Sequence, residues 1–123
     1  MGITEAQVVI GVGGGVEKEC MVMIERLAEL LEGTIGGTRV AVFKELVSAE
    51  RQIGATGKFI DADIYIPIGI SGSNRHTVGI RNVKHVIPIN KNKSAPIFKF
   101  AELGIVGDLN KVIEHLIKIL EKS

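Results

Sequence analysis

The run Ile64-Tyr65-Ile66-Pro67-Ile68-Gly69-Ile70-Ser71-Gly72-Ser73-Asn74-Arg75-His76 decides the fold. Its first seven residues are apolar and rich in β-branched side chains, the pattern of a strand buried on both faces. Gly69-Ile70-Ser71-Gly72 then offers a tight turn and a hydroxyl to cap a helix starting near Ser73. A strand that feeds a helix through small residues leaves backbone N–H groups pointing outward with the helix dipole behind them. Such a corner suits an anion, most often a phosphate. Just upstream, Gln52-Ile53-Gly54-Ala55-Thr56-Gly57-Lys58 adds a second glycine-bearing loop. The chemistry is therefore expected between Gln52 and His76.

Charge points the same way. From Ile64 to Ala101 there is no Asp or Glu, while Arg75, Arg81, Lys84, Lys91, Lys93 and Lys99 all fall inside that window. The whole chain carries only +1, so positive charge is concentrated where the phosphate corner is inferred. A set of solvated basic turns is the plain alternative.

Length and composition bound the rest. At 123 residues the chain reads as one domain, large enough to bury an apolar core. With 46% hydrophobic and 24% charged residues it is neither disordered nor a repeat array. No apolar run approaches the ~18 residues of a membrane span, and the N-terminus lacks the regions of a signal peptide. No membrane insertion is expected. The single Cys20 excludes an internal disulfide and falls on the apolar side of a predicted helix, as a buried structural thiol does. A reducing cytoplasm is the expected location. No Cys or His pair has zinc spacing and no Walker A sequence occurs. Few aromatics and near-neutral charge argue against nucleic acid as a partner.

Taken in order, a strand is predicted from about Gln7 to Val12, followed by Gly13-Gly14-Gly15. These glycines begin a dinucleotide fingerprint without completing it, because with Gly11 and Gly13 in the first two places the third falls on Val16. They read as a tight turn or a phosphate contact. Glu17 to Glu32 makes an amphipathic helix with Cys20, Ile24, Leu27, Ala28 and Leu31 on one face, and Gly33 is its natural stop. Thr34 to Arg39 reads as a second strand with late glycines, and Arg39 at its end is either paired with a carboxylate or held for a ligand. Lys84 to Asn90 reads as another strand, Ala95 to Phe98 as a bend into an extended piece, and Gly104 to Gly107 as a last brief strand. Asp108 to Lys122 is a helix with a stripe of Leu109, Val112, Ile113, Leu116, Ile117 and Leu120. Of three histidines, His115 reads as a surface residue, His85 as structural, and His76 is the one placed to meet a ligand.

Strands alternating with helices imply a three-layer, doubly wound α/β domain with a mostly parallel sheet. Ligands in such sheets lie at the carboxyl ends of the strands, near a switch in strand order. Thr38, Arg39, Thr56, Ser71 and Asn90 all follow predicted strands, and Asp108 opens the last helix. One shared edge is expected.

From Val8 to Leu120 the chain resembles the C-terminal, FAD-binding domain of the electron-transfer flavoprotein alpha subunit. The resemblance rests on Gln52 to Lys58, Tyr65 to His76, Asn90-Lys91, Ala95-Pro96-Ile97-Phe98 and Gly107-Asp108-Leu109, in order and at the family's spacing. It implies a Rossmann-like domain with FAD as cofactor and an electron carrier rather than an enzyme. Thr56, in the loop Ile53-Gly54-Ala55-Thr56, would meet the flavin N5 region. Arg39 would lie against the isoalloxazine, and His76 near its C2 carbonyl. Thr38, with Ser71 and the turn of Gly72, Ser73, Asn74 and Arg75, would hold the ribityl and pyrophosphate. Asn90, Asp108 and Leu109 would serve the adenosine end, with Asp108 also a helix N-cap.

Departures from the family accompany the match. Its first loop reads Gly-Arg-Gly with the arginine on FAD, and the matching residue here is Gly13. Glutamine before the matching threonine is replaced by Ala55. Losing a cationic and an amide contact is expected to weaken flavin binding or change its tuning. The family's separate N-terminal domain, which builds the contact with the beta subunit, has no counterpart in these 123 residues. An electron carrier between a dehydrogenase and an acceptor is the primary reading, with a beta-type subunit or a homo-oligomer as protein partner. The rival is a module that takes AMP, NAD or CoA at the same turn without redox work. A third reading is a folded domain that needs a partner to close over the ring.

Overall fold

A computed structural model describes residues 2–123. Strand β1 (Val8–Val12) is flanked by β2 (Thr34–Gly37) on one side and by β3 (Ile64–Ile68), the middle strand of the sheet, on the other. Two-residue strands β4 (His85–Val86), β5 (Ile89–Asn90) and β6 (Ile105–Val106) extend the sheet past β3. The order is β2-β1-β3-β5-β6, with β4 also on β3, and every pairing among the described residues is parallel. This is the expected doubly wound α/β sheet. From β1 the chain first steps one way to β2 and then returns past β1 to β3, so the strand order switches there.

Strand alternation builds two cores. Ile10, Val12, Ile68 and Ile89 face α1 (Met21–Leu30) and α4 (Leu109–Glu121), whose Ile24, Leu27, Ala28 and Ile113 are buried against them. The stripe predicted on α4 packs as expected, and Asp108 caps it by accepting the Lys111 N–H at 3.0 Å. The opposite face carries Val9 and Tyr65 and is covered mostly by irregular chain, through Ile53, Ile60, Ile80 and Ile97.

Several local expectations are corrected. The first helix begins as a 3-10 turn at Lys18–Cys20 and becomes α-helical at Met21. Its stop is a left-handed Glu32 (φ 53°), with the Gly33 N–H closing on the Ala28 carbonyl at 2.8 Å and Glu32 N–H on Glu29. That is a Schellman closure with glutamate in the place usually held by glycine. Arg39 does not end a strand. It is the first residue of α2 (Arg39–Phe43), capped by the Thr38 hydroxyl, which accepts the Ala41 N–H at 3.2 Å. The strand predicted from Lys84 to Asn90 is split into β4 and β5 at Ile87-Pro88, because Pro88 has no N–H to give a ladder. Pro96–Phe100 is a 3-10 helix, not an extended piece, with proline at a helix-initiating position. Replacing Ile113, which is fully buried, by alanine should lower stability by roughly 2–5 kcal/mol. Urea unfolding should then show a lower midpoint at unchanged slope.

Candidate functional site

The loops leaving β1 and β3 meet at the switch point. The Gly13 N–H donates to the Ile68 carbonyl and the Gly15 N–H to the Gly69 carbonyl, both at 3.0 Å. A Cβ on Gly13 would overlap the Gly69 oxygen, so no side chain fits there. This moves the expected arginine position. Gly14 is exposed, a Cβ there would meet only the Val40 side chain, and it borders a crevice at this edge. A side chain in this loop would reach a ligand from Gly14, not from Gly13.

After β3 the chain turns through Gly69 (φ 64°) and Gly72 (φ 95°), conformations that disfavour a side chain. The Ser71 carbonyl accepts the Ile97 N–H at 2.8 Å, which ties the turn to the Pro96–Phe100 segment. Ser73 then sits at the N-cap of α3 (Asn74–Thr77), which runs on as a 3-10 turn through Ile80. With four residues α3 supplies little dipole, and Ser73 makes no side-chain cap bond, so the expected helix-dipole site is reduced. What remains are the N–H groups of Gly72, Ser73 and Asn74, which meet no protein acceptor among the described residues.

Three depressions lie in a row along this edge. The central one, about 210 Å³, is lined by Gly14, Gly15, Thr38, Val40, Ser71, Gly72, Ser73 and His76. It shares Thr38, Val40, Ser73 and His76 with a second, about 190 Å³, whose wall adds Arg39, Gln52, Ile53, Ala55, Thr56 and Arg75. On the other side Gly15 also borders a third, about 160 Å³, with Glu17, Lys91, Asp108, Leu109 and Asn110. No carboxylate lines the first two, whereas the third has both signs of charge.

The second depression depends on how the 53–58 loop is held. Gly54 (φ 130°) packs so tightly on the Arg75 carbonyl that a Cβ would overlap it, and the Ala55 N–H donates to that same oxygen at 2.7 Å. Gln52 Nε2 donates to the Thr56 hydroxyl at 2.6 Å, which leaves the Thr56 O–H free to donate outward. Arg39 is exposed and pairs with no carboxylate among the described residues. Of the two readings left open by the sequence, the ion-pair one is thereby removed.

His76 lines both depressions, yet its residue is only 4% exposed. Nδ1 lies 3.2 Å from the Ile53 carbonyl and Nε2 2.7 Å from the Tyr65 hydroxyl. A carbonyl only accepts, so Nδ1 carries the proton and Nε2 takes the Tyr65 O–H. Both imidazole nitrogens are thus engaged within the chain. Burial lowers its pKa to about 4, partly opposed by the Ile53 carbonyl.

Most of the residues expected from the sequence come together. Thr38, Arg39, Ile53, Ala55, Thr56, Ser71, Gly72, Ser73, Arg75 and His76 line the first two depressions, and Asp108 and Leu109 the third. Gly54 shapes the loop without lining it, and Asn74 is exposed at the start of α3. Asn90 is buried with its amide spent inside the chain: Nδ2 donates to the Ile70 carbonyl at 3.0 Å and Oδ1 accepts the Asn92 N–H at 2.9 Å. It braces the turn from behind. His85 has an exposed side chain and takes part in the sheet as the first residue of β4, in register with Ile64. Lys44 escaped sequence reasoning. Its ammonium donates to the Gly14 and Val16 carbonyls at 3.1 and 3.3 Å, a link between segments some 30 residues apart that no local pattern signals.

The His76 environment has a pH signature. The imidazole protonates near 6.5 in the unfolded chain and near 4 in the fold, so its neutral form supports stability fully above about pH 6.5. That support is lost as pH falls towards 4, by about 3 kcal/mol at ~1.4 kcal/mol per unit. Unfolding free energies measured between pH 7 and 4 should fall more steeply for the wild type than for His76→Asn.

Residues 2–81 match the family described as the electron transfer flavoprotein FAD-binding domain. An electron transfer flavoprotein subunit alpha of Clostridium acetobutylicum is 47% identical over 94% of this chain and 34% of its own length. The mitochondrial alpha subunit of Dictyostelium discoideum is 40% identical over 98% of this chain and 34% of its own. The chain therefore spans about a third of the length of these relatives. A solved Mycobacterium smegmatis structure, described as a thiamin diphosphate-dependent enzyme, matches with TM-score 0.53 at 11% identity over 95% of this chain and 25% of its own. That likeness concerns the α/β fold alone. No described helix is long and apolar enough to cross a membrane. Strand order, glycine-lined crevice and sequence similarity agree, and this chain belongs to the electron transfer flavoprotein FAD-binding domain family.

Proposed function

We propose that this chain is the FAD-holding unit of an alpha-type electron transfer flavoprotein, an electron carrier and not an enzyme with its own substrate. The observation that carries this reading is the row of three adjoining depressions, free of carboxylates in the first two and walled by an unpaired arginine at one end. The residues fit a long ligand with a dianionic middle. Ser71 and the open N–H groups of Gly72, Ser73 and Asn74 would hold the pyrophosphate, with Thr38 and Arg75 beside it. Arg39 and the Thr56 hydroxyl would meet the flavin, and Asp108 with Leu109 the adenosine. When bound, FAD supplies one- and two-electron transfer between a dehydrogenase and an acceptor.

Arg39 is then a tuning cation more than an anchor. An ion pair screened to about 1 kcal/mol corresponds to roughly 40 mV for one electron. All residues of the chain would act as a single FAD-binding unit. Val40, at the rim, is half-exposed, and Phe43, one helical turn on, is 87% exposed; both suit burial by a protein partner. A beta-type subunit is the partner this reading names, and a second copy of the chain is the alternative. The buried lone thiol Cys20 suits a reducing cytoplasm.

A second reading, a nucleotide module for AMP, NAD or CoA, is favoured by Ala55 and by a glycine loop, Gly13 to Gly15, that carries no basic side chain of its own. Titration separates the two. FAD should bind with a shift in flavin absorbance and fluorescence, ADP should compete, and riboflavin should bind at least tenfold more weakly than FAD. Equal affinity for FAD and riboflavin would remove the phosphate turn from the site, and ADP binding without FAD binding would establish the second reading. Arg39→Ala should lower the one-electron potential of bound flavin by tens of millivolts while leaving ADP affinity within twofold. Loss of ADP binding at an unchanged potential would assign Arg39 to the phosphates.

A further inference from the structure

The glycine loop after β1 has no basic side chain, yet a cation is folded onto it from α2. Val40 and Lys44 stand four residues apart, so they share one side of α2 and its C-cap. Val40 lies at the crevice rim, where a Cβ on Gly14 would meet it. Lys44 is one helical turn, about 6 Å, further on. Its ammonium donates to the Gly14 and Val16 carbonyls and pairs with no carboxylate among the described residues. The main chain secures only the donor side of this loop. Gly13, Gly15 and Val16 give their N–H groups to Ile68, Gly69 and Gly13. No main-chain donor meets the Gly14 or Val16 carbonyl among the described residues, so Lys44 alone satisfies them. A peptide is a rigid plane with C=O and N–H on opposite sides, and holding the Val16 carbonyl also sets the Glu17 N–H. The Gly14 and Glu17 N–H groups meet no protein acceptor among the described residues. Gly14 lines the central depression and Glu17 the third.

We propose that Lys44 is a positioning residue for phosphate: standing behind the glycine loop, it holds the loop's carbonyls and supplies the positive charge that the loop itself lacks. Two neutral oxygens do not cancel an ammonium, so its field extends through one layer of backbone into the crevice. Carbonyls that accept from a cation also polarise their peptides and make the N–H groups better donors. The central depression gains most, because no carboxylate lines it, whereas Glu17 and Asp108 line the third. The ligand this serves carries a phosphate or pyrophosphate against Gly14 and Gly15. That the ligand is FAD rests on the function proposed above. Lys44 lies outside the crevice and is exposed, so it acts through the loop and its effect is screened by salt.

Calorimetric titration of the purified chain with ADP, and with adenosine as the phosphate-free control, tests this. Lys44→Met keeps an unbranched apolar stem and removes the charge. It should weaken ADP by roughly fivefold or more at low salt and adenosine by less than about twofold, the scale of one screened charge. Lys44→Arg restores a cation and should bring ADP to within about twofold of the wild type. The gap between wild type and Lys44→Met should close towards ~1 M salt, where the screening length falls to about 3 Å. An unchanged ADP affinity in Lys44→Met would overturn the proposal. So would an equal loss for ADP and adenosine, or a loss that persists at high salt, because either makes Lys44 a brace of the loop and nothing more. Should Lys44→Met fail to fold, Lys44→Gln removes the charge while keeping a donor for one carbonyl, and wild-type ADP affinity there overturns the proposal equally. ADP binding that depends on Lys44 without any FAD binding would remove the proposed function and leave this inference standing. FAD binding that ignores Lys44 would do the reverse, and a wild type that binds neither would overturn both.

Discussion

The structure depends on how closely two chain reversals approach each other at the carboxyl ends of β1 and β3. Two backbone hydrogen bonds join them, from Gly13 to Ile68 and from Gly15 to Gly69. At that separation a single added carbon at Gly13 overlaps a carbonyl oxygen. The glycines are there because two backbones, not a backbone and a side chain, form the contact. With no side chains in the gap, the loops themselves become the wall of a crevice at the switch in strand order. The bracing follows from the same need. Three successive glycines lose much conformational freedom when ordered, and Lys44 and the two backbone bonds hold them from different sides.

The two faces of the sheet divide the work. The face covered by α1 and α4 is aliphatic, from Ile10 and Val12 to Ile113, and it holds the sheet together by burial of apolar surface. The other face is covered by loops and short turns, and there the core includes the Tyr65–His76 pair. A polar pair in a core specifies geometry more than it adds stability. It sits where geometry matters, beneath the loop that carries Thr56 and beside the turn at Ser71. Asn90 does similar work on the far side of that turn, spending both ends of its amide on loop backbone.

Much of the fold was legible because its signals are local. The strand at Ile64 declares itself by β-branched composition, and α4 by an apolar stripe repeating at helical spacing; each needs only its own residues. The misreadings have physical causes of the same kind. Thr38 as an N-cap was hidden because Thr34 to Arg39 carries strand-like composition, and only the tertiary position of Arg39 shows the helix starting there. The break between β4 and β5 turns on one missing N–H at Pro88. The stop of α1 reads as Gly33, the residue type that usually takes the left-handed place, but in the fold Glu32 takes it and Gly33 lies close against Val8.

For the site, the sequence by itself determined which residue types are present at the carboxyl edge: small residues at the turns, hydroxyls at Thr38, Thr56 and Ser71, cations at Arg39 and Arg75, and no acid from Ile64 to Ala101. These are properties of composition and order, and strand alternation brings them to one edge. Which of those groups remain free to meet a ligand was decided only by tertiary structure. Hydrogen-bond capacity is finite, and the partners that consume it come from distant segments: Tyr65 and Ile53 take both nitrogens of His76, and Ile70 and Asn92 take the amide of Asn90. Arg39 and Thr56 keep theirs because no carboxylate folds against the first and Gln52 uses only an acceptor site of the second.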